Sequence, residues 1–377
     1  MEWRKIRQLL SGRTRVLLVF VVTALSATLA LAAPPSDVNS AGDKSQPITL
    51  DAQPIRWDPN NRNDLSAGEL EWAGGIELTS DNKKFGGWSA LEVSTDGSRL
   101  LAISDEAHWL SAEILYDEKG RLSGLGNGVI APMLNLKGKP ILKKPYGDAE
   151  GLTTTGGDPT KGEAYVSFEH FHRIWRYDLG ANGFDALPKQ IITERRLGQM
   201  PANSGIEALT LIGPETGGDD QRLLALTEDA RNAKGNRKAF LIEGRKIERL
   251  ATRLDAPFKP TDIARLPNGD FLLLERSFSI LAGPGMELRL INAADVKPGA
   301  TLDGRLLLRA DNKHTIDNME GLAVRQDEKG QIFVYLISDN NYSVLQHTYL
   351  MMFRLKLAPA EGSLGTLTLP HSPAAAE

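Results

Sequence analysis

The sequence predicts an all-β protein, a β-propeller whose ring is closed by pairing N- and C-terminal strands. Three observations carry this. An acid followed by a small and an aliphatic residue recurs: Glu150-Gly-Leu152, Glu207-Ala-Leu209, Glu320-Gly-Leu322, with Asp262-Ile263 and Ser89-Ala-Leu91 as weaker copies. Taken as equivalent, these positions are 61, 57, 55 and 58 residues apart, the even spacing of a repeat architecture. Each copy leads through a turn to an aliphatic run ending in a second acid, and convincing amphipathic helices are scarce.

In order along the chain, residues 1–32 read as a Sec-type export signal. Arg4, Lys5, Arg7, Arg13 and Arg15 precede the apolar run Val16 to Leu31, and Ala30-Leu-Ala32 supplies small residues for cleavage after Ala32. An uncleaved anchor is the rival reading, but the run is short for a span and diluted by Thr23, Ser26 and Thr28. A periplasmic or secreted protein is therefore expected. Residues 33–65, rich in Pro, Asp, Asn and Ser, read as a spacer. The propeller is expected over 66–358, and 359–377 read as a loose tail.

The first unit pairs Gly87 to Val93 with Arg99 to Ser104 across Asp96-Gly97, a strong hairpin signal. An insertion of roughly 117–147 follows. Its glycines at Gly124, Gly126 and Gly128 precede no helical pattern, so they read as a flexible turn rather than a phosphate loop. Later units turn at Gly156-Gly-Asp-Pro159, Gly213 to Asp220, Pro267-Asn-Gly269 and Asp327-Glu-Lys-Gly330. Five units are visible. A sixth would overrun the C-terminus unless late strands pair with Leu70 to Leu78, so six blades are expected, with five or seven as the alternatives.

Composition limits the chemistry. Removing residues 1–32 leaves 39 basic against 47 acidic side chains, a net charge of −8, which argues against general nucleic-acid binding. No later stretch could span a bilayer, so no membrane is expected once the signal is gone. The chain has no cysteine, which excludes disulfides and thiolate chemistry. A monomer is expected.

In a propeller, the residue just before each first strand and the residue just after each second strand lie at one end of the channel. Glu150, Glu207, Asp262 and Glu320 should thus meet Asp105, Glu169, Glu228, Glu275 and Asp339 at one mouth, with Ser89 as the first unit's inner residue. So many carboxylates repel one another unless protons, bases or cations compensate, and oxygen-only ligands favour Ca²⁺. Glu150, Glu207, Asp262, Glu320, Asp105 and Asp339 are the candidate metal ligands; Glu169 and Glu228 are the candidate general bases. Arg173, Arg231 and Arg276 follow outer acids closely and, with His314, are candidates for holding an anionic group. The plainer alternatives are that the acids cap strand ends and that each Arg pairs with its neighbouring acid. His170 and His172, two apart, share a strand face, but with no third ligand they read as surface turn residues.

Asp148-Ala-Glu-Gly-Leu152, Ser167-Phe-Glu-His-Phe-His-Arg-Ile174, Leu272-Leu-Leu-Glu-Arg-Ser-Phe278, Asp317-Asn-Met-Glu-Gly-Leu322 and Ser338-Asp-Asn-Asn-Tyr342 together resemble the phytase-like family of exported bacterial proteins. The resemblance, over about residues 85–355, implies a β-propeller and hydrolysis of phosphate or other esters. Two departures stand out. Ser104-Asp105-Glu106 replaces the family's Ser-Asp-Arg, and the Asp-Ala-x-Asp-Asp-Pro-Ala signature of calcium-dependent propeller phytases is absent. The expected function is metal-dependent hydrolysis of a small anionic or ester substrate. A lactonase-like calcium propeller and a non-catalytic ligand-binding propeller are the alternatives.

Overall fold

Five blades, each with four main antiparallel strands, are arranged as a ring in the computed structural model, which describes residues 44–61, 63–213, 215 and 217–356; Gly74 bridges to Leu122 between the fifth and first blades, and Thr301–Leu302 adds a parallel strand to the third. The innermost strands, in chain order, are Trp88–Val93, Ala149–Thr154, Ile206–Leu211, Lys259–Arg265 and Asn318–Gln326. Each lies beside the next, and the last lies beside the first. Among the described residues the closed set makes five propeller blades.

The sheets pair through local hairpins whose turns the sequence dictates. At the first, Gly97 takes φ 75° while Asp96 Oδ1 accepts hydrogen bonds from Ser94 Oγ and from the Ser98 amide, the Asx geometry that Asp-Gly favours. Gly330 does the same with φ 79° behind Asp327, whose side chain accepts from the Lys329 amide.

Ring closure follows expectation. Leu70–Thr79 pairs antiparallel with Thr348–Leu355, Leu70 facing Leu355 and Leu78 facing Thr348. Among the described residues no sixth inner strand is present: this N-terminal strand is the outermost of the fifth blade, beside Thr348–Leu355. Within the stretch read as a spacer, Gln46–Ile48 pairs with Leu122–Pro132 at the edge of the first blade, and Asp51–Pro54 pairs with Leu70–Thr79. These short segments cover edges that would otherwise be free to aggregate. The insertion after the first unit supplies that blade's long outer strand, Leu122–Pro132. The export-signal and tail readings fall on residues 1–32 and 359–377, outside the described residues.

Apolar burial sits between blades rather than at the centre. Five clusters lie one at each interface; Leu101 and Trp109 of the first blade pack with Val166 and Tyr177 of the second, and Leu91 and Leu100 with Tyr335 and Ile337 of the fifth. Burying large apolar side chains at about 1.5–3 kcal/mol each locks neighbouring sheets together. The axis is left to polar groups.

The inner strands share one irregularity. In the first, third and fifth blades the register shifts at Ser89, Glu207 and Glu320, which face no partner residue. In the second, Glu150 and Gly151 together oppose Ser167. A β-bulge re-aims the extra side chain and often marks a site. In the fourth blade the unpaired residue is Thr261, not Asp262.

Candidate metal centre at the channel mouth

The bulges bring an inner ring of side chains to one end of the channel, and the ends of the second strands bring an outer ring beside it. In three blades the two are fixed together by one contact. The amides of Asp105, Glu169 and Glu228 donate to the carbonyls of Gly87, Asp148 and Gly205, at 2.9, 2.7 and 2.9 Å. Each acceptor lies two residues before its bulge residue. Inner Glu150 and Glu207 are thereby set against outer Glu169 and Glu228.

A cavity of about 260 Å³ opens here, with Glu150, Glu207 and Glu320 from the inner ring and Asp105, Glu169, Glu228 and Asp339 from the outer ring on its wall. Carboxylate oxygens of Glu150, Glu207 and Glu320 lie within 4.8 Å of one another, as do those of Asp148, Glu150 and Glu169. Burial foremost, and the neighbouring carboxylates next, push Glu150 and Glu207 well above the usual carboxylate range. Burial also raises Glu169 to about 7 and Asp339 to about 8. This is the response of acids crowded without enough compensating charge.

Compensation within the chain is partial. Arg276 reaches Glu320 at 3.0 Å and Glu228 at 3.7 Å, and Lys259 lies 3.1 Å from Glu228. Lys144 pairs closely with Asp105 and lies 3.7 Å from Asp148, whose other oxygen is 3.2 Å from His170 Nε2. Glu169 accepts from the Gly205 amide at 2.7 Å and Glu320 from Asn318 Nδ2 at 2.6 Å. One oxygen of Asp105 is buried with no hydrogen-bond partner. Eight carboxylates, with one unpartnered buried oxygen on Asp105, suit a hard divalent cation, and Ca²⁺ takes six to eight oxygen ligands.

The other predicted site residues fall elsewhere. Asp262 is off the mouth because the fourth blade is displaced by one position; its carboxylate accepts from the amides of Ile263 and Leu322, at 2.8 and 2.7 Å, and bridges the fourth and fifth inner strands. The same displacement puts Arg276 in the outer-ring place and turns Glu275 inward onto Arg289, at 2.8 Å. Arg173 is buried away from the mouth, its guanidinium 3.9 Å over the Phe168 ring and 4.4 Å over Trp175, donating to the carbonyls of Phe171 and Tyr146. Arg231 pairs with Asp229 at 3.1 Å, as the plainer reading held. His314 packs against Trp57, ring centroids 4.6 Å apart, and pairs with Asp311. None of these three lines the cavity. Lys144 and Asn203 on its wall were missed, and Asp148 and His170 were undervalued; Asp148, two residues ahead of Glu150, was the readable signal.

A sequence profile of the phytase-like family, described as esterase-like activity of phytase, matches residues 83–342. The chain belongs to this family. The matched span runs from just before the first inner strand to the loop beyond Asp339, and so includes every mouth carboxylate of this phytase-like chain. No curated protein matches it. Among solved structures, the PQQ-bound aldose sugar dehydrogenase of Streptomyces coelicolor is similar at 12% identity over 81% of this chain and 98% of that one, with a TM-score of 0.41. A Bacteroides thetaiotaomicron protein of unknown function is similar at 12% identity over 81% and 76%, with a TM-score of 0.37.

Proposed function

We propose that this phytase-like protein is a calcium-dependent hydrolase of phosphoric or carboxylic esters working at the acidic mouth. The observation that carries the reading is the triad of bulge glutamates, Glu150, Glu207 and Glu320, with oxygens within 4.8 Å. They would hold the ion, with Asp105 and Asp339 completing its surroundings. When bound, the cation supplies a positive charge that polarises the ester oxygen and acidifies water.

The chain's own residues divide the remaining work. Glu169, raised to about 7 by burial, stands near the pH at which a carboxylate both exists and accepts a proton, the condition for a general base. Glu228 is held by Lys259 and Arg276 and is the weaker candidate. Arg276 keeps a guanidinium at the mouth for charge developing on the substrate, while Lys144 and His170 orient Asp105 and Asp148.

The test strips the purified protein with chelator, then follows melting and turnover of phosphomonoester, acyl ester and lactone panels as Ca²⁺ is restored. Calcium-dependent turnover lost in Glu150→Gln and Glu207→Gln, with the fold retained, is the expected result. Calcium-dependent melting with no turnover on any panel makes the chain a binding propeller. No response to divalent ions removes the metal. Export, read from residues 1–32, belongs to the same proposal; an exported chain whose N-terminus is not Ala33 overturns the cleavage site.

A further inference from the structure

The apolar side chains most exposed to solvent are distributed unevenly. Among the described residues, the large apolar side chains more than two-thirds exposed are Leu142 (77%), Phe278 (69%), Ile280 (95%), Leu281 (98%), Val344 (98%) and Leu345 (84%). All six lie at the mouth end. Phe278, Ile280 and Leu281 form the tip of the hairpin joining Phe271–Ser279 to Gly283–Ile291, which runs on past Arg276. Val344 and Leu345 sit in the loop after Asp339, beyond Asn341 on the cavity wall. Leu142 stands two residues before Lys144, on the same wall.

We propose that this face docks on a phospholipid surface, with the three loops dipping into the acyl layer and the acidic mouth held against the head groups. Its form favours lipid over a protein partner. The apolar tips stand on separate loops around a polar centre, and Ser277, Ser279, Ser343 and Gln346 separate them along the chain. A protein partner would need a matching pocket for each prong, whereas a fluid acyl layer takes separate prongs without one.

The charges at this end suit a head-group layer. Lys83, Lys143, Lys234 and Lys313 are exposed on four different mouth-end loops, positioned to meet phosphate groups. Asp81, Glu106 and Asp311, exposed on the same side, keep the rim from being a simple anion trap. Attachment therefore rests mainly on the apolar tips. This docking is peripheral, and it goes beyond the ester-hydrolase reading without depending on it.

The test is flotation of the full chain with phosphatidylcholine vesicles, with and without Ca²⁺ and at low and high salt. Binding that survives high salt is expected, as is a drop of about tenfold or more in Ile280→Ser/Leu281→Ser and in Val344→Ser/Leu345→Ser, the scale for removing two aliphatic side chains from an apolar phase. The melting temperature should not move, because these side chains are exposed. In Leu281→Trp, quenching of the new fluorophore by lipids brominated along the acyl chain reports insertion directly. A chain that stays with the solvent, tip variants that float like the parent, or parent molecules that self-associate through these tips while the variants do not, each overturn the proposal. Glu207→Gln keeps the tips, so vesicle binding that persists there while calcium response is lost separates this proposal from the hydrolase.

Discussion

Arg276 places its guanidinium Nε 3.0 Å from a carboxylate oxygen of Glu320, and it does so from the position that acids occupy in the other four blades. One blade thus contributes an arginine to the outer ring where the others contribute acids. Glu320 is the first cause of the rise in the Arg276 pKa, ahead of the opposing effect of burial. Arg276→Met should cost about 3 kcal/mol in the metal-free protein, the low end for breaking a buried pair. It should also enlarge the stabilisation that added Ca²⁺ gives. Chemical denaturation with and without the ion checks both.

The mouth carboxyls make the metal-free protein sensitive to alkali. Glu169 and Asp339 are raised by burial to about 7 and about 8, and Glu150 and Glu207 are well above their ordinary values. A group with a raised folded-state pKa binds more protons folded than unfolded. Its stabilising effect is therefore full below about pH 4.5 and is lost as pH rises through the folded value. Metal-free melting temperature should fall between about pH 5 and pH 8 by this linkage, and Ca²⁺ should flatten the slope. A rising slope without metal would contradict the crowding.

Glu207→Gln removes one of the repelling charges. It should leave the metal-free protein as stable as the parent, or more so, while abolishing its calcium response, the trade expected where a site costs stability. Calorimetric titration against thermal melting separates the two effects.

Gly151 has no room for a side chain. A Cβ there would lie 2.5 Å from the Glu207 carbonyl oxygen and 2.6 Å from Ser167 Oγ. Ser167 ties the second and third blades, contacting the Gly151 amide at 2.8 Å and donating to the Ile206 carbonyl at 2.9 Å. Gly151→Ala should destabilise by about 1–3 kcal/mol, the usual cost of overpacking, and loosen Glu150 beside it. Denaturant midpoints and calcium affinity would show the paired loss.

Away from the mouth, Arg289 holds Glu275 at 2.8 Å and Glu287 at 2.6 Å inside the fourth blade. Arg289→Met leaves two buried carboxylates with less compensation and should cost about 3–5 kcal/mol. Its melting should recover partly in acid, where Glu275, raised to about 7 chiefly by burial, is protonated.

The repeat, the hairpins and the ring closure were legible because they depend on local chemistry: Asp-Gly turns, aliphatic runs and a strand-like stretch at Leu70. Blade number was not. Leu70–Thr79 reads as a strand from sequence, but only its pairing with Thr348–Leu355 shows that it finishes a blade rather than begins one. Site membership turned on a single residue. In the fourth blade the acid-aliphatic pattern picks Asp262-Ile263, yet the bulge falls on Thr261, because register is set by pairing with Glu275 and Leu274. Arg173 and His314 were misplaced for a related reason. Their aromatic partners, Trp175 and Trp57, decide which way they face, and no spacing in the sequence encodes that choice.

The composite fifth blade has a consequence for the order in which the chain takes shape. Leu70–Thr79 leaves the ribosome early, but its main partner strand is not complete until Leu355 has been made. Blades one to four can form hairpin by hairpin once their own strands are present; the ring cannot shut until nearly the last of the described residues arrives. Asp105 and Asp339 face one cavity from opposite ends of that wait. The fully assembled mouth therefore forms last, and until then Leu70–Thr79 has only its local partners, Asp51–Pro54 and Ser66–Ala67.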